Sequence, residues 1–186
     1  MLQYLPHAIG RSLRSRRPGT PKLAIHRPEA ADAAVAITLL SPAFSDGAEL
    51  PRRCTADGRG LSPALVWHGV PDRAAALVLI VEDADSPTAE PLVHAIVPSL
   101  PLRRVDLAEG ELNGGAIRLG RNSYLRASYL APDPPPGHGP HRYVFQLFAL
   151  AAGPAPDGTP GRRELMKSMQ GRVLAKGLLT GVYGRV

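Results

Sequence analysis

The sequence predicts a mainly β, antiparallel fold with long loops, on three observations. Short apolar runs rich in β-branched residues recur along the chain from Val35 onward. One of them, residues 142–150, is apolar on both faces, with Tyr143, Phe145 and Leu147 on one and Val144, Phe148 and Leu150 on the other. That pattern belongs to a central strand covered on both sides. The connections hold most of the 20 prolines and 19 glycines, as shaped surface loops require. With 186 residues, 44% hydrophobic and 20% charged, the chain can bury one full core and does not have a disordered composition.

In chain order, residues 1–34 stand apart by composition as a basic arm. Leu2, Leu5, Ala8, Ile9 and Leu13 recur at roughly helical spacing among Arg11, Arg14 and Arg16. The arm reads either as a short amphipathic helix docked on the body, a second subunit or a membrane surface, or as a frayed end. Pro18-Gly19-Thr20-Pro21 closes it, and a body of residues 35–186 is expected to fold and bind without it. Predicted strands follow at Val35–Leu40, Leu65–Trp67, Ala75–Glu82, Leu92–Val97 and Arg142–Leu150. A helix is predicted after Thr159 as cap and Pro160 in the first turn, with Leu165, Met166, Met169 and Val173 on one face and Gly177 at its end. Leu178–Tyr183 reads as a last strand.

The net charge is +6, but the first 34 residues alone carry +4, six basic side chains against two acidic. A basic arm rather than a basic body sets the pI, which argues against a nucleic-acid partner. Cys54 is the single cysteine, so no intrachain disulfide forms, in keeping with a reducing compartment. The first residues do not read as a signal peptide and no run is long enough to cross a bilayer; a cytoplasmic location is expected.

Several familiar chemistries fail at the motif level. Gly137-His138-Gly139 begins like a dinucleotide fingerprint, but Arg142 occupies the third glycine's place and a strand follows. There is no phosphate-binding loop and no Gly-x-Ser-x-Gly elbow, and Cys54 lacks a catalytic context. Two stretches remain: Asp83-Ala84-Asp85-Ser86-Pro87 with His94, and Tyr129 to Phe145. Each sets rigid Pro/Gly backbone beside imidazole, phenol or carboxylate. Side chains alternate along a strand, so His141 and Tyr143 point one way and Arg142 the other. Taken singly, His94 reads as a satisfied core histidine, the two aspartates as turn formers, and His138 as an exposed loop tip.

At these residues the sequence resembles the phosphatidylethanolamine-binding protein family, in its bacterial Raf kinase inhibitor-like branch. The first family motif, Asp-Pro-Asp-x-Pro and a following histidine, is met by Asp83 to Pro87 and His94, with Ala84 for the proline. The second is met from Tyr129 to Phe145, with Ala131 in place of a glycine. The likeness runs from about Ile37 to the C-terminus and leaves the arm unmatched. It implies a large antiparallel sheet packed with a smaller sheet, plus short helices including one near the C-terminus. It implies a small anion pocket for phosphate or a phospholipid head group, formed by Asp83, Pro87, His94, Ala131, Pro132, His141 and Tyr143. It also implies a cis Ser86–Pro87 bond, a non-enzymatic role as modulator of a protein kinase or protease, and no cofactor. A homodimer is compatible with it.

In such a pocket His94 and His141 would donate N–H bonds to an anion, Tyr143 would add a hydroxyl, and Asp83 would orient a histidine or receive a ligand ammonium group. Two other readings use the same residues. One is a hydrolase, metal-assisted through Asp83, Asp85, His94 and His141; the other is an adaptor whose pocket is vestigial.

Overall fold

The computed structural model describes Tyr4 and residues 6–185. Its centre is a five-stranded sheet in the order β1-β8-β7-β4-β5. The strands are β1 (Ala34–Val35), β4 (Ala76–Asp83), β5 (Leu92–Leu100), β7 (His141–Leu150) and β8 (Val173–Tyr183). Every pairing is antiparallel except the two-residue edge β1, which runs parallel to β8 and makes the sheet mixed. A three-stranded sheet, β2 (Thr38–Leu40), β3 (Leu65–His68) and β6 (Asp106–Leu107), packs on one face. Among the described residues two short α-helices, α1 (His7–Ser12) and α2 (Arg162–Met169), and several 3₁₀ turns complete the fold.

The alternation within β4 and β7 explains the layering. Leu77, Leu79 and Val81 join Tyr143, Phe145 and Leu147 against Leu39, Leu65 and Trp67 of the small sheet. Val78 and Ile80 join Val144 and Phe148 against Leu165, Met166 and Met169 of α2. Apolar side chains on both faces of the central strands are therefore buried, as their sequence demands.

Three elements differ from the sequence prediction. The run Val35–Leu40 divides into β1 and β2, because the N–H groups of Ala36 and Ile37 both donate to the Lys176 carbonyl as the chain crosses between sheets. Gly177 lies inside β8 rather than ending α2, and a Cβ there would come within 2.3 Å of the Ile37 carbonyl oxygen. The glycine serves this close crossing. Gly161, not Thr159, starts α2, and Glu164 accepts a hydrogen bond from its backbone N–H.

The compositional break at residue 34 is not a break in packing. Leu23, Ala24, Ile25 and Ala30 are buried in the α2-side core. The Lys176 ammonium donates to the carbonyls of Ile25, Ala30 and Ala31, at 3.1, 2.7 and 3.0 Å. The Ala24 N–H donates to the buried Glu82 carboxylate, which also accepts from Gln146 and Arg162. Leu2 and Leu5 of the predicted amphipathic helix lie outside the described residues, whereas Ala8 and Ile9 are exposed. Contact is made instead through Gly10, where a Cβ would stand 1.9 Å from the Pro136 carbonyl oxygen. A bare backbone, not an apolar stripe, docks α1.

Truncation at Ala34 is accordingly expected to destabilise the protein, contrary to the reading from composition. Glu82→Ala leaves three donors without their buried acceptor and should cost about 3–5 kcal/mol. Urea unfolding of both variants measures this, and wild-type midpoints would show that the segment is only an appendage.

Candidate functional site

A cavity of about 480 Å³ opens at the end of the central strands. Asp83, Pro87, His94, Ala131 and His141 line it, together with Ala56, Ser86, Leu92, Tyr124, Arg126, Leu130, Asp133 and Pro135. Five of the seven sequence-predicted residues thus meet in one cavity. Pro132 and Tyr143 are not among the residues that line it; both are buried.

Strand register assembles the charged part of the site. Asp83 lies opposite Tyr143 in the β4–β7 ladder, with His141 two residues earlier on the same face. That diagonal lets His141 Nδ1 donate to Asp83 Oδ2 at 2.7 Å. The other oxygen, Oδ1, accepts the Asp85 backbone N–H at 2.8 Å and holds the turn that leaves β4. The Ser86–Pro87 bond is trans, correcting the cis expectation, since no peptide bond among the described residues is cis. The local turn is made by the Asp83 carboxylate itself.

His94 reaches the cavity through an irregularity in β5. Ala95 pairs with Val81 and Val93 with Glu82, so His94 is the extra residue of a bulge. Such a bulge re-aims one side chain without ending the strand. His94 is 3% exposed, and its Nδ1–H donates to the Leu130 carbonyl at 2.6 Å. Its Nε2 is buried without a hydrogen-bond partner, as is the Tyr143 hydroxyl, whose ring packs edge-on against His94. Burial holds the His94 imidazole below its ordinary value, against the opposing pull of Asp83. Burial and the nearby Asp83 charge likewise push the Tyr143 phenol up, so it stays protonated.

Two readings of the histidines need correction. His138 is fully buried rather than an exposed tip, because the N-terminal segment covers it. Both nitrogens of His141 are already engaged, one by Asp83 and the other by His138 Nδ1 at 2.7 Å, so neither is free to donate to a ligand. Arg126, which no sequence motif pointed to, also stands at the cavity wall. It stands in a polar loop outside both motifs, and only the fold brings it near. Among the described residues, no three His, Cys, Asp or Glu side chains are arranged to hold a metal, and no helix is long and apolar enough to cross a membrane.

Arg142 projects to the opposite face, where its guanidinium meets both oxygens of Asp85 at 2.7 Å. Arg17 adds a third contact to Asp85 at 3.1 Å.

The architecture and these motifs agree with comparison to known proteins. The family model described as phosphatidylethanolamine-binding protein matches residues 40–184, and the chain belongs to that family. A UPF0098 protein of Aquifex aeolicus is 35% identical over 154 residues, covering 79% of this chain and 88% of its own. The crystal structure of a putative homologue from the same family, CT736 of Chlamydia trachomatis, superposes with a TM-score of 0.75 at 33% identity, covering 82% of this chain and all of its own. Escherichia coli YbcL shares the fold, with a TM-score of 0.73 at 24% identity over 81% of this chain and 99% of its own.

The Asp85 pair carries a pH signature. Burial alone would raise the Asp85 carboxyl, but the hydrogen bonds from Arg142 and Arg17 outweigh it and hold the group at about 2. That lies below the unfolded value of about 3.9, so the stabilisation is complete above about pH 4 and is lost as pH falls through about 2. Asp85→Asn should cost about 2 kcal/mol at neutral pH, a figure already reduced for the exposure of Arg142, and should flatten that acid limb. Denaturant titrations across the acid range check it; an unchanged limb assigns the acid sensitivity elsewhere.

Proposed function

We propose that the cavity binds a phosphate-bearing ligand, as inorganic phosphate or a phospholipid head group, without chemical turnover. The observation that carries this reading is the buried, unpartnered Nε2 of His94 in the wall of a mainly apolar cavity, where few other groups compete for a polar ligand atom. A buried polar nitrogen left unpaired costs about 1–3 kcal/mol, which a ligand hydrogen bond recovers. His94 Nδ1–H is committed to Leu130, so Nε2 accepts when the ring is neutral and donates only when it is protonated. A phosphate monoanion can supply the hydrogen, and a protonated ring can donate to a phosphate oxygen. Arg126 supplies charge at the wall, and the rigid Pro/Gly loop keeps the cavity formed before the ligand arrives. The family's name agrees with the ligand class.

The sign of the pH dependence follows. The ring is neutral in the free protein near pH 7, because burial lowers it. An anion favours its protonated form, so binding takes up a proton and affinity rises as pH falls. Calorimetry with a singly charged sulfonate between about pH 5.5 and 8 isolates the protein's proton, because phosphate itself ionises there. His94→Phe should abolish proton uptake, and Arg126→Ala should weaken binding by about 1–2 kcal/mol. Flat sulfonate affinity, or full phosphate binding by a variant carrying both His94→Phe and Arg126→Ala, would sink this reading.

A further inference from the structure

The histidine pair behind the cavity holds more hydrogen than two neutral rings can provide. The Leu13 carbonyl can only accept, so His138 Nε2, 2.9 Å from it, carries a hydrogen. The Asp83 carboxylate can only accept, so His141 Nδ1 carries another. The remaining contact, His138 Nδ1 to His141 Nε2, is 2.7 Å long, a distance that two opposed lone pairs would not keep. It requires a third hydrogen, whereas two neutral imidazoles bring two. Arg17 Nη2 is a competing donor to His138 Nδ1, but at 3.5 Å, and its short bond of 2.7 Å goes to the His138 carbonyl.

The surroundings decide which ring holds the surplus. Facing the pair are Asp83 from β4, the Tyr143 ring stacked on His141 from β7, His94 from β5, whose imidazole feels the His141 charge, and Arg17, itself tied to Asp85, from the N-terminal segment. A charge on His138 would be buried beside the Arg17 guanidinium, and burial, reinforced by His141, already lowers that ring. A charge on His141 is met at once by Asp83. Moving the proton to Asp83 is disfavoured, since its other oxygen accepts the Asp85 N–H and that bond favours the ionised carboxylate.

We propose that His138, its tautomer fixed by the Leu13 carbonyl, is a positioning residue that keeps His141 doubly protonated against Asp83, so the docked N-terminal segment sets the charge of the cavity wall. The consequence for anions rests on the function proposed above; the protonation state does not.

Long-range ¹H–¹⁵N spectra of the full, ligand-free chain near neutral pH read both rings directly. The expected result is two protonated-type ring nitrogens on His141 and a single Nε2–H on His138. A neutral His141 would overturn the proposal. Gly10→Val drives a side chain into the Pro136 carbonyl and should release the segment. His138 should then populate both tautomers and His141 should fall to one ring hydrogen. His138→Phe removes the acceptor while keeping a ring, should give the same loss at His141, and serves if the glycine variant does not fold. Each folded variant should bind inorganic phosphate about tenfold more weakly, the scale of one lost charge interaction. A doubly protonated His141 in both variants would refute the role of His138. If the ring signatures behave as expected but the wild type binds no phosphate, the proton arrangement stands and the ligand assignment falls.

Discussion

Two consecutive buried carboxylates at the end of β4, Glu82 and Asp83, hold the protein's layers and its site together. Strand alternation sends them to opposite faces of the sheet. Glu82 turns toward α2 and gathers Arg162, Gln146 and the backbone of Ala24. Asp83 turns toward the cavity and takes His141 and the Asp85 backbone. Burying a carboxylate costs several kcal/mol unless donors surround it, so each constrains every element that supplies one. The N-terminal segment, α2 and β7 are thus fixed relative to the same two residues.

This arrangement separates the groups that hold the cavity walls from those left without a partner. The anchoring groups, Asp83, Asp85, Arg142 and His141, are engaged by protein partners. Beside them, His94 Nε2 and the Tyr143 hydroxyl are two of the four buried side-chain atoms left without a partner among the described residues. A bonded framework with a few atoms left unpaired is the preorganisation that the proposed ligand binding calls for. The bulge in β5 is what makes this possible, since a regular strand would carry the pairing through His94.

The N-terminal segment lies outside the residues that the family model matches. The family match begins at residue 40, yet residues 23–30 fill part of the core and Leu13 touches His138. Relatives matched over the later residues share the sheet, and this part of the chain covers the back of the site from outside that range.

Much was legible from local pattern. The central strands followed from apolar runs on both faces, the C-terminal helix from its spacing, and the opposed directions of His141 and Arg142 from strand alternation. The two motifs brought Asp83, Pro87, His94, Ala131 and His141 to notice, and all five line the cavity. What local pattern could not decide depended on distant partners. His138 looked exposed because its Gly-flanked loop is polar, and only contact with a segment 125 residues away buries it. Arg126 carried no signal until the fold set it in the wall of the cavity that Asp83 and His94 also line. Gly177 read as a helix end because a glycine needed for close backbone crossing has the same sequence signature as one needed for a cap. Composition separated residues 1–34 as basic, while their Leu23, Ile25 and Gly10 contacts made them part of the structure. Side-chain direction and apolar periodicity are local properties that the chain writes into its sequence. Burial, hydrogen-bond saturation and proton placement are sums over neighbours, and the tertiary structure alone supplied them.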